Sequence, residues 1–491
     1  MNSRPHFPFS IHHSPFSILH FPFAAALLLA GCAVGPDYTP PSDGGIPEAF
    51  VSRRDWTSGK EDFYILVSCG RGAEPDEIGF FALGDKRLAT LQAIAATNNL
   101  TVLQAAQRIE ASRAALAGSR AEFWPNVGFS AGTSKAKNYN PDGSSERSSL
   151  GFDASWEIDL FGKVRRSVEA AQAEFEATEY SLDDAMLSLR AEIAAEYVNF
   201  CLRHQLWKIA MENFSHQEEF LKIAEEKFEA GMGAEFDYQT AQAQRYSAMA
   251  SVDSAQSDME ACVRRLERLC SLPPCAMSQF SGLTELKMPA LPDVPMPEFE
   301  DYQRFLTVQS DVMRNRPDIR RTEREYAAAL ACVGVSKANY FPSVSIGVGI
   351  SVASDAFASW EDAMRSISFG PSLNWSLLSF GRTKAKMAQA RAKAEEAALA
   401  YREAVLAAYH EIEDSIVVEN HHSARENLLK AALERQRKAE EMARKSYEEG
   451  LGEYRDLLSA SQTRLSTERS LAEARANRIL ERIALAKALA L

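Results

Sequence analysis

Four segments of the chain alternate apolar and polar residues with a period of two, which predicts β-strands. They cover residues 127–132, 150–159, 344–352 and 367–377, and the alternate positions hold mainly glycine, serine and short polar residues. We expect strands of about 9–11 residues, the length that a tilted strand needs to cross a bilayer. The pattern therefore predicts one face towards lipid and one towards a water-filled lumen. The polar stretches at 138–147 and 354–365 are candidate extracellular loops.

The alternative is an amphipathic antiparallel sheet that packs on a soluble core. Four strands cannot enclose a lumen, because small barrels need about eight strands. If these strands line a pore, they must be shared between subunits, and a trimer would supply twelve.

Each strand pair is followed by a long run without proline, at residues 163–230 and 382–449. Both runs are rich in strong helix formers, and a continuous helix of that length would extend about 100 Å. Such lengths favour coiled-coil packing. Shorter helices are predicted before the strands, at 83–122 and 317–339, and returning helices at 235–270 and 454–491. A long dimeric coiled-coil spacer is the alternative.

The chain is internally duplicated. Gly162 and Gly381 are 219 residues apart, as are Gly231 and Gly450. This period is far longer than the roughly 20–50 residues of solenoid repeats, so we expect two half-domains that make one pseudo-symmetric body. Gly162 and Gly381 are predicted to turn a strand into a helix.

The N-terminus predicts an export signal. A short apolar core at residues 23–30 ends in Leu29-Ala30-Gly31-Cys32, which resembles the lipobox of bacterial lipoproteins and makes Cys32 the predicted lipidation site. The predicted divisions are a signal peptide at 1–31, a lipidated N-terminal segment at 32–84, a first repeat at 85–272, a proline-rich linker at 273–315 and a second repeat at 316–491.

Composition argues against several other functions. The net charge of −13 and the lack of a basic stripe argue against nucleic-acid binding. The cysteines have no CxxC spacing and no histidine cluster near them, so neither a metal site nor another cofactor is predicted. Cys270 and Cys275 are either buried thiols or a local disulfide. His421 and His422 are adjacent and cannot share a helical face, and we expect no catalysis.

Several motifs resemble one family. Residues Cys32–Tyr38 (CAVGPDY) are similar to the mature start of lipidated outer membrane efflux proteins. Arg316–Arg320 (RPDIR) and Phe341–Ser343 (FPS) resemble the signature of that family's second half, and Tyr447–Gly450 and Asp456–Gln462 resemble its second hairpin tip. The motifs follow the family's order across nearly all of the chain after Cys32. The chain is therefore identified as a TolC-like outer membrane factor.

The resemblance implies an α+β membrane protein in which a trimeric, twelve-stranded transmembrane β-barrel, four strands per subunit, continues into a long periplasmic α-helical coiled-coil barrel. An equatorial region, expected within residues 32–84, would ring the helices. The implied partners are two further copies of the chain, a periplasmic membrane fusion (adaptor) protein, an inner-membrane pump of the resistance-nodulation-division type and outer membrane lipid. Two features depart from the family: a strand-like insertion at Phe63–Gly70, and Ser459, where a second acid is common.

A gate is expected at the hairpin tips, because an open pore would leak. Asp456 matches the acids that constrict the channel in this family, and Asp237 occupies the equivalent position in the first repeat. In a trimer, three copies of either acid would form a ring that attracts cations. The alternative for either acid is stabilisation of a helix N-terminus. Tyr454 and Arg455 are predicted to hold the closed tip. The remaining candidates, for the hairpin tips and adaptor contact, are Gly231, Gly233, Gly450, Gly452, Leu451, Leu457 and Leu458; for the leucines, ordinary packing is an equal alternative.

The sequence therefore predicts a passive duct in the outer membrane that is lipid-anchored, extends into the periplasm and conducts small molecules in a tripartite efflux system. Two alternatives stay open. The duct could serve type I protein secretion, although the N-terminal motifs favour efflux. The chain could also be a structural coiled-coil lipoprotein, which would need no pore.

Overall fold

A computed structural model of the chain describes residues 33–39, 85–139, 142–274, 276, 315–354 and 363–490. The predicted signal peptide, Cys32, Cys275, the insertion at Phe63–Gly70 and almost all of the linker lie outside the described residues.

Most described residues are helical, and two helices are very long. α3 and α6 each have 67 residues. They lie where proline-free runs of helix formers predict them, and each is followed by a 35-residue returning helix. In chain order the helices are α1 (Lys86–Asn98), α2 (Leu100–Ala121), α3 (Lys163–Glu229), α4 (Glu235–Leu269), α5 (Pro317–Ala338), α6 (Arg382–Glu448) and α7 (Tyr454–Ala488).

The strands form one antiparallel sheet in the order β1-β2-β3-β4. Their bounds are β1 (Asn126–Tyr139), β2 (Asp142–Ile158), β3 (Ser343–Ser354) and β4 (Met364–Asn374). The register aligns Phe129, Phe152, Ile350 and Ile367 in one row across all four strands. The fold is thus α+β, as predicted, with a small sheet in a mostly helical chain.

Three details of the sequence prediction were wrong. β1 and β2 have 14 and 17 residues, so most of the predicted loop at 138–147 is strand. The added residues are mainly polar, and cross-strand pairs such as Lys135 with Glu146, 3.6 Å apart, join them. β4 ends at Asn374, which leaves Trp375 and Leu377 beyond the strand.

The third error concerns the helix predicted at 83–122, which is broken at Asn99. The Asn99 side chain accepts hydrogen bonds from the backbone N–H groups of Thr101 and Val102 and donates to the carbonyl of Leu269. An asparagine side chain that satisfies the free N–H groups of a new helix is a typical N-cap. The chain therefore starts a second helix here.

The structure divides into two compact units, each with residues from both repeats. The first unit includes residues 33–39, 112–175 and 325–397, and contains the sheet. The second includes 85–111, 176–274, 315–324 and 398–490, and contains the hairpin tips. The main core of the second unit packs α1, α3, α4 and α7 together around the fully buried Tyr197 and Phe200. Within the described ranges, no helix is both long and apolar enough to cross a membrane.

Candidate functional site

The two hairpin tips have the same turn geometry. Gly231 and Gly450 have φ values of +71° and +76°, a left-handed conformation that favours glycine. The two residues after each glycine donate their N–H groups to one carbonyl, that of Lys227 in the first tip and of Ser446 in the second, at 2.9–3.0 Å. These bonds satisfy carbonyls that the helix end leaves free and stop the helix sharply.

Gly233 and Gly452 lie where there is little room for a side chain. A Cβ at Gly233 would lie 3.1 Å from the backbone of Lys227, and one at Gly452 would lie 2.8 Å from the Ser446 hydroxyl. Each glycine therefore lets the chain cross closely over the end of the incoming helix. Gly162 and Gly381, with φ values of +77° and +89°, make the corresponding corners between strand and helix.

The tips of the two hairpins share a small apolar cluster. Phe220, Ala224 and Ala241 come from the first hairpin; Tyr447, Tyr454 and Leu457 come from the second. All six residues are at most 5% exposed. Because separating the hairpins would expose this apolar surface to water, the cluster stabilises contact between the two tips of one chain.

Lys227 reaches from the first hairpin to the second. Its ammonium donates a hydrogen bond to the backbone carbonyl of Tyr447 and lies 3.8 Å from the centroid of the Tyr447 ring. A cation over an aromatic face is attracted by the ring quadrupole. Lys227 is half-buried, so water screens these contacts less than on an open surface.

The two tyrosines of the cluster resist ionisation. Burial, with the charge of Asp237 nearby, raises the pKa of Tyr447. Burial, with Tyr447 and Asp237 adding to it, raises the pKa of Tyr454 to about 12. The Tyr454 hydroxyl is buried without a hydrogen-bond partner among the described residues. Tyr454 thus contributes an aromatic ring to the cluster, and its ring lies 5.6 Å from that of Tyr447.

The two predicted gate acids have different environments. Asp237 and Asp456 are each the third residue of a helix, where a carboxylate interacts favourably with the helix N-terminus. Asp237 is half-buried and acts electrostatically on both tyrosines, whereas Asp456 is exposed. Arg455 is exposed and pairs with Glu453 of its own tip at 3.2 Å.

The three leucines at the second tip differ in exposure. Leu451 is 80% exposed at the turn, while Leu457 is fully buried in the shared cluster and Leu458 packs against it. Leu457 therefore packs between the two hairpins in this structure. Leu451 remains an exposed apolar candidate for contact with another protein.

Sequence reasoning missed Lys227 and a buried arginine further along the second hairpin. Arg464 is 4% exposed and forms ion pairs with Glu440 at 2.5 Å and Glu468 at 2.6 Å, and its guanidinium lies 3.5 Å from Nδ1 of His216. His216 belongs to the first hairpin, so this cluster also joins the two. Nothing in the local sequence distinguishes Arg464 from an exposed helical arginine.

The N-terminal segment at 33–39 lies against the corner between β2 and α3. The Val34 N–H donates to the carbonyl of Phe161 at 3.2 Å, and a Cβ on Gly162 would lie 2.7 Å from the Cα of Ala33. The Arg166 guanidinium bridges Asp37 at 2.5 Å and Glu169 at 2.7 Å. The residue after Cys32 is therefore held beside the end of the sheet.

The apolar face of the sheet has no covering layer within the described residues. None of the five clusters of buried apolar residues includes a strand residue. Large exposed apolar residues on this face are Val127, Phe129, Leu150, Phe152, Trp156, Val348, Ile350, Ile367, Phe369 and Leu373. The opposite face carries glycine, serine and Asp153, with hydroxyl pairs such as Ser351 and Ser366 at 2.7 Å. A contiguous exposed apolar face of this size marks an interaction with membrane or protein.

No group of three or more histidine, cysteine, aspartate or glutamate residues in the described part of the chain is arranged to hold a metal ion. The Cys270 thiol is buried and donates weakly to the carbonyl of Leu91 at 3.7 Å.

Comparison with known proteins gives consistent matches. The sequence profile of the family described as "Outer membrane efflux protein" matches residues 91–270 and 308–491. "Nodulation protein T" of Rhizobium leguminosarum bv. trifolii is 27% identical over 463 residues, 91% of this chain and 92% of that protein. "Cation efflux system protein CusC" of Escherichia coli is 25% identical over 470 residues, 94% and 96% of the two chains. The solved structure of the outer-membrane channel OprN is 28% identical and has a TM-score of 0.78, with 94% of this chain and 99% of that chain covered.

Proposed function

This chain belongs to the outer membrane efflux protein family, and we propose that three copies of it form a passive duct that carries small molecules across the outer membrane. The observation that carries the proposal is the sheet with an uncovered apolar face and a small polar face. Four strands are too few to close around a lumen, whereas twelve from three copies would enclose one. An apolar outer face and a polar inner face are what such a barrel requires.

The edges of the sheet support the shared barrel. β1 and β4 are the outer strands of the order β1-β2-β3-β4, so each has one row of backbone groups with no strand partner among the described residues. In hydrocarbon every unpaired backbone group is costly, so the membrane would favour pairing β4 of one copy with β1 of the next. The same requirement disfavours a lone subunit in the bilayer.

Lipidation of Cys32 would add an anchor on the periplasmic side. Residues 33–39 are fixed to the β2–α3 corner by the Arg166 ion pair with Asp37 and by the close contact at Gly162. A lipid chain on Cys32 would therefore enter the membrane next to the strand ends. The anchor and the sheet would act at the same membrane surface.

The hairpin tips would form the closed periplasmic end. The shared cluster and Lys227 hold the two tips of one copy together, and exposed Asp456 residues from three copies would form an acidic ring. Such a ring attracts cations and repels anions. The exposed Leu451 would contact an adaptor protein, and this contact would open the tips. The adaptor would also join the duct to an inner-membrane pump, which would supply the energy for transport. The cargo would be selected by that pump.

Recording from planar bilayers tests the proposal. Purified full-length protein should give discrete conductance steps, small in the wild type because the tips are closed. Absence of any step, with the protein demonstrably in the bilayer, would favour a structural coiled-coil lipoprotein. Deletion of the gene for this protein should make cells more sensitive to small toxic compounds. If the deletion instead blocked the secretion of a protein, the duct would serve type I secretion.

A further inference from the structure

The two repeats differ in charge where the strands meet the long helices. In the first repeat, the cations at this corner have partners in the chain. Arg165 pairs with Asp159 at 3.2 Å, and the Arg120 guanidinium donates to the side chain of Gln172 at 2.9 Å. The charge of Arg165 is therefore neutralised within the chain, and Arg120 has a neutral hydrogen-bond partner.

The second repeat keeps two of these cations and lacks the residues that contact them in the first repeat. Lys337 and Lys384 stand at the positions equivalent to Arg120 and Arg165. Read 219 residues further along, the positions of Asp159 and Gln172 hold Leu378 and Arg391. Arg166 and its partner Glu169 are replaced together, by Ala385 and Ala388. Among these equivalent positions, the second corner therefore has a surplus of positive charge that the first corner lacks.

These cations surround a pocket of about 500 Å³ between the end of α5 and the start of α6. Its polar lining consists of Lys337, Lys384 and Arg391, and Tyr340, Phe341 and Met387 supply most of its apolar wall. No acidic residue lines the pocket, and none of the three cations has an ion pair within the described part of the chain. A cavity of this size is large enough for a small ligand.

The pocket lies at the end of the sheet where β3 begins and β4 ends, since Ser343 and Asn374 are register partners there. The Trp375 indole N–H donates to the carbonyl of Tyr340 at 3.1 Å. Just beyond, Phe380 is almost fully exposed. Exposed aromatic residues with nearby lysine and arginine are typical of the boundary between hydrocarbon and headgroups.

We propose that this second-repeat pocket binds the phosphodiester headgroup of one anionic phospholipid per subunit. The proposal rests on the proposed function, because it requires the sheet to lie in a membrane. The three cations are opposite in sign to the phosphodiester, and the apolar wall suits the glycerol and the first methylene groups of the chains. A free phosphate ion would fit less well, since it needs polar groups on all sides and much of this wall is apolar.

Native mass spectrometry of the full-length assembly in detergent tests the inference. The probes are phosphatidylglycerol, phosphatidylcholine of the same chain length and inorganic phosphate. The test variant is Lys337→Gln with Lys384→Gln, and the matched control is Arg120→Gln with Arg165→Gln, which removes two cations from the equivalent corner. Lys337→Arg with Lys384→Arg retains the charge.

Wild type and the control should bind phosphatidylglycerol in preference to phosphatidylcholine, up to one molecule per subunit. The double glutamine variant should bind it about twenty-five-fold less tightly, because each cation near an anionic headgroup contributes about fivefold. The double arginine variant should bind like wild type. Equal binding of both lipids, or equal loss in the test and control variants, would overturn the inference; so would displacement of the lipid by millimolar inorganic phosphate.

The same spectra test the lipid site and the trimeric duct separately. A trimer mass without selective lipid binding would reject the pocket and leave the duct intact. Failure to observe a trimer in any variant, including wild type, would count against the proposed function itself and so remove the basis of the inference.

Discussion

Replacing Lys227 with methionine should weaken closure of the hairpin tips. The ammonium of Lys227 donates to the Tyr447 carbonyl and lies over the Tyr447 ring, so one substitution removes both contacts between the hairpins. Methionine keeps an unbranched apolar stem of similar length. The variant therefore removes the charge while leaving the apolar cluster of Phe220, Tyr454 and Leu457 in place.

The expected magnitude follows from these two contacts. A hydrogen bond from a charged group contributes about 1.5–3 kcal/mol, and an exposed cation–π contact about 0.5–1 kcal/mol. One half-buried ammonium makes both contacts, so we expect a combined loss of about 2 kcal/mol per subunit. If each tip opens independently, the opening equilibrium of that tip shifts about thirtyfold.

Single-channel recording measures this shift directly. Lys227→Met should raise the open probability of the reconstituted channel at least tenfold and should sensitise cells to a large antibiotic such as vancomycin. Lys222→Met is the matched control, because Lys222 is exposed on the same helix and makes no hydrogen bond or ion pair among the described residues. If the two variants have the same open probability, the contact between Lys227 and Tyr447 does not hold the gate.

Four further outcomes are expected. Cys32→Ala should abolish the incorporation of labelled palmitate, and persistent labelling would reject the lipidation site. Asp456→Ala should increase vancomycin leak by removing the acidic ring, whereas unchanged sensitivity would remove this residue from the gate. The raised pKa of Tyr454 means that the unfolded state ionises first as pH rises. The stability that depends on the neutral phenol is therefore complete below about pH 10 and lost towards about pH 12, and Tyr454→Phe should reduce the fall in thermal midpoint over this range. Ile350→Arg should cost about 2–4 kcal/mol of insertion free energy on the lipid face, while Ser351→Arg on the opposite face of the same strand should insert nearly normally; equal insertion would contradict the assignment of faces.

The helices and tip turns could be predicted because their signals are local. α3 and α6 lie in runs of helix formers without proline, and Gly231 and Gly450 end them at equivalent positions. The break at Asn99 was also within reach, since an asparagine directly before apolar helical residues, here Leu100 and Val102, is a common N-cap signal.

The contacts that join the hairpins could not be predicted, because they depend on packing between distant segments. Lys227 and Tyr447 are 220 residues apart, and nothing in a single sequence pairs them. The lengths of the strands were predicted wrongly for another reason. Beyond Gly132 the residues of β1 are mainly polar on both faces, so the alternation on which the prediction relied ends before the strand does.

The charge difference between the two corners was present in the sequence but required the structure to interpret it. Lys337, Lys384 and Arg391 are unremarkable as separate helical cations. Their convergence on one pocket depends on the packing of α5 against α6, seen in the cluster of Val333 and Met387. Internal repeats thus provide their own comparison, because each residue has a counterpart in a similar backbone environment.

Electron microscopy of the detergent-purified full-length protein shows whether three copies of this chain assemble into a duct. We expect tapered particles with three-fold symmetry and a central channel, in which β4 of each copy pairs with β1 of the next. Monomeric particles, or thin rods without a channel, would mean that the four-stranded sheets do not close, and the account would be wrong.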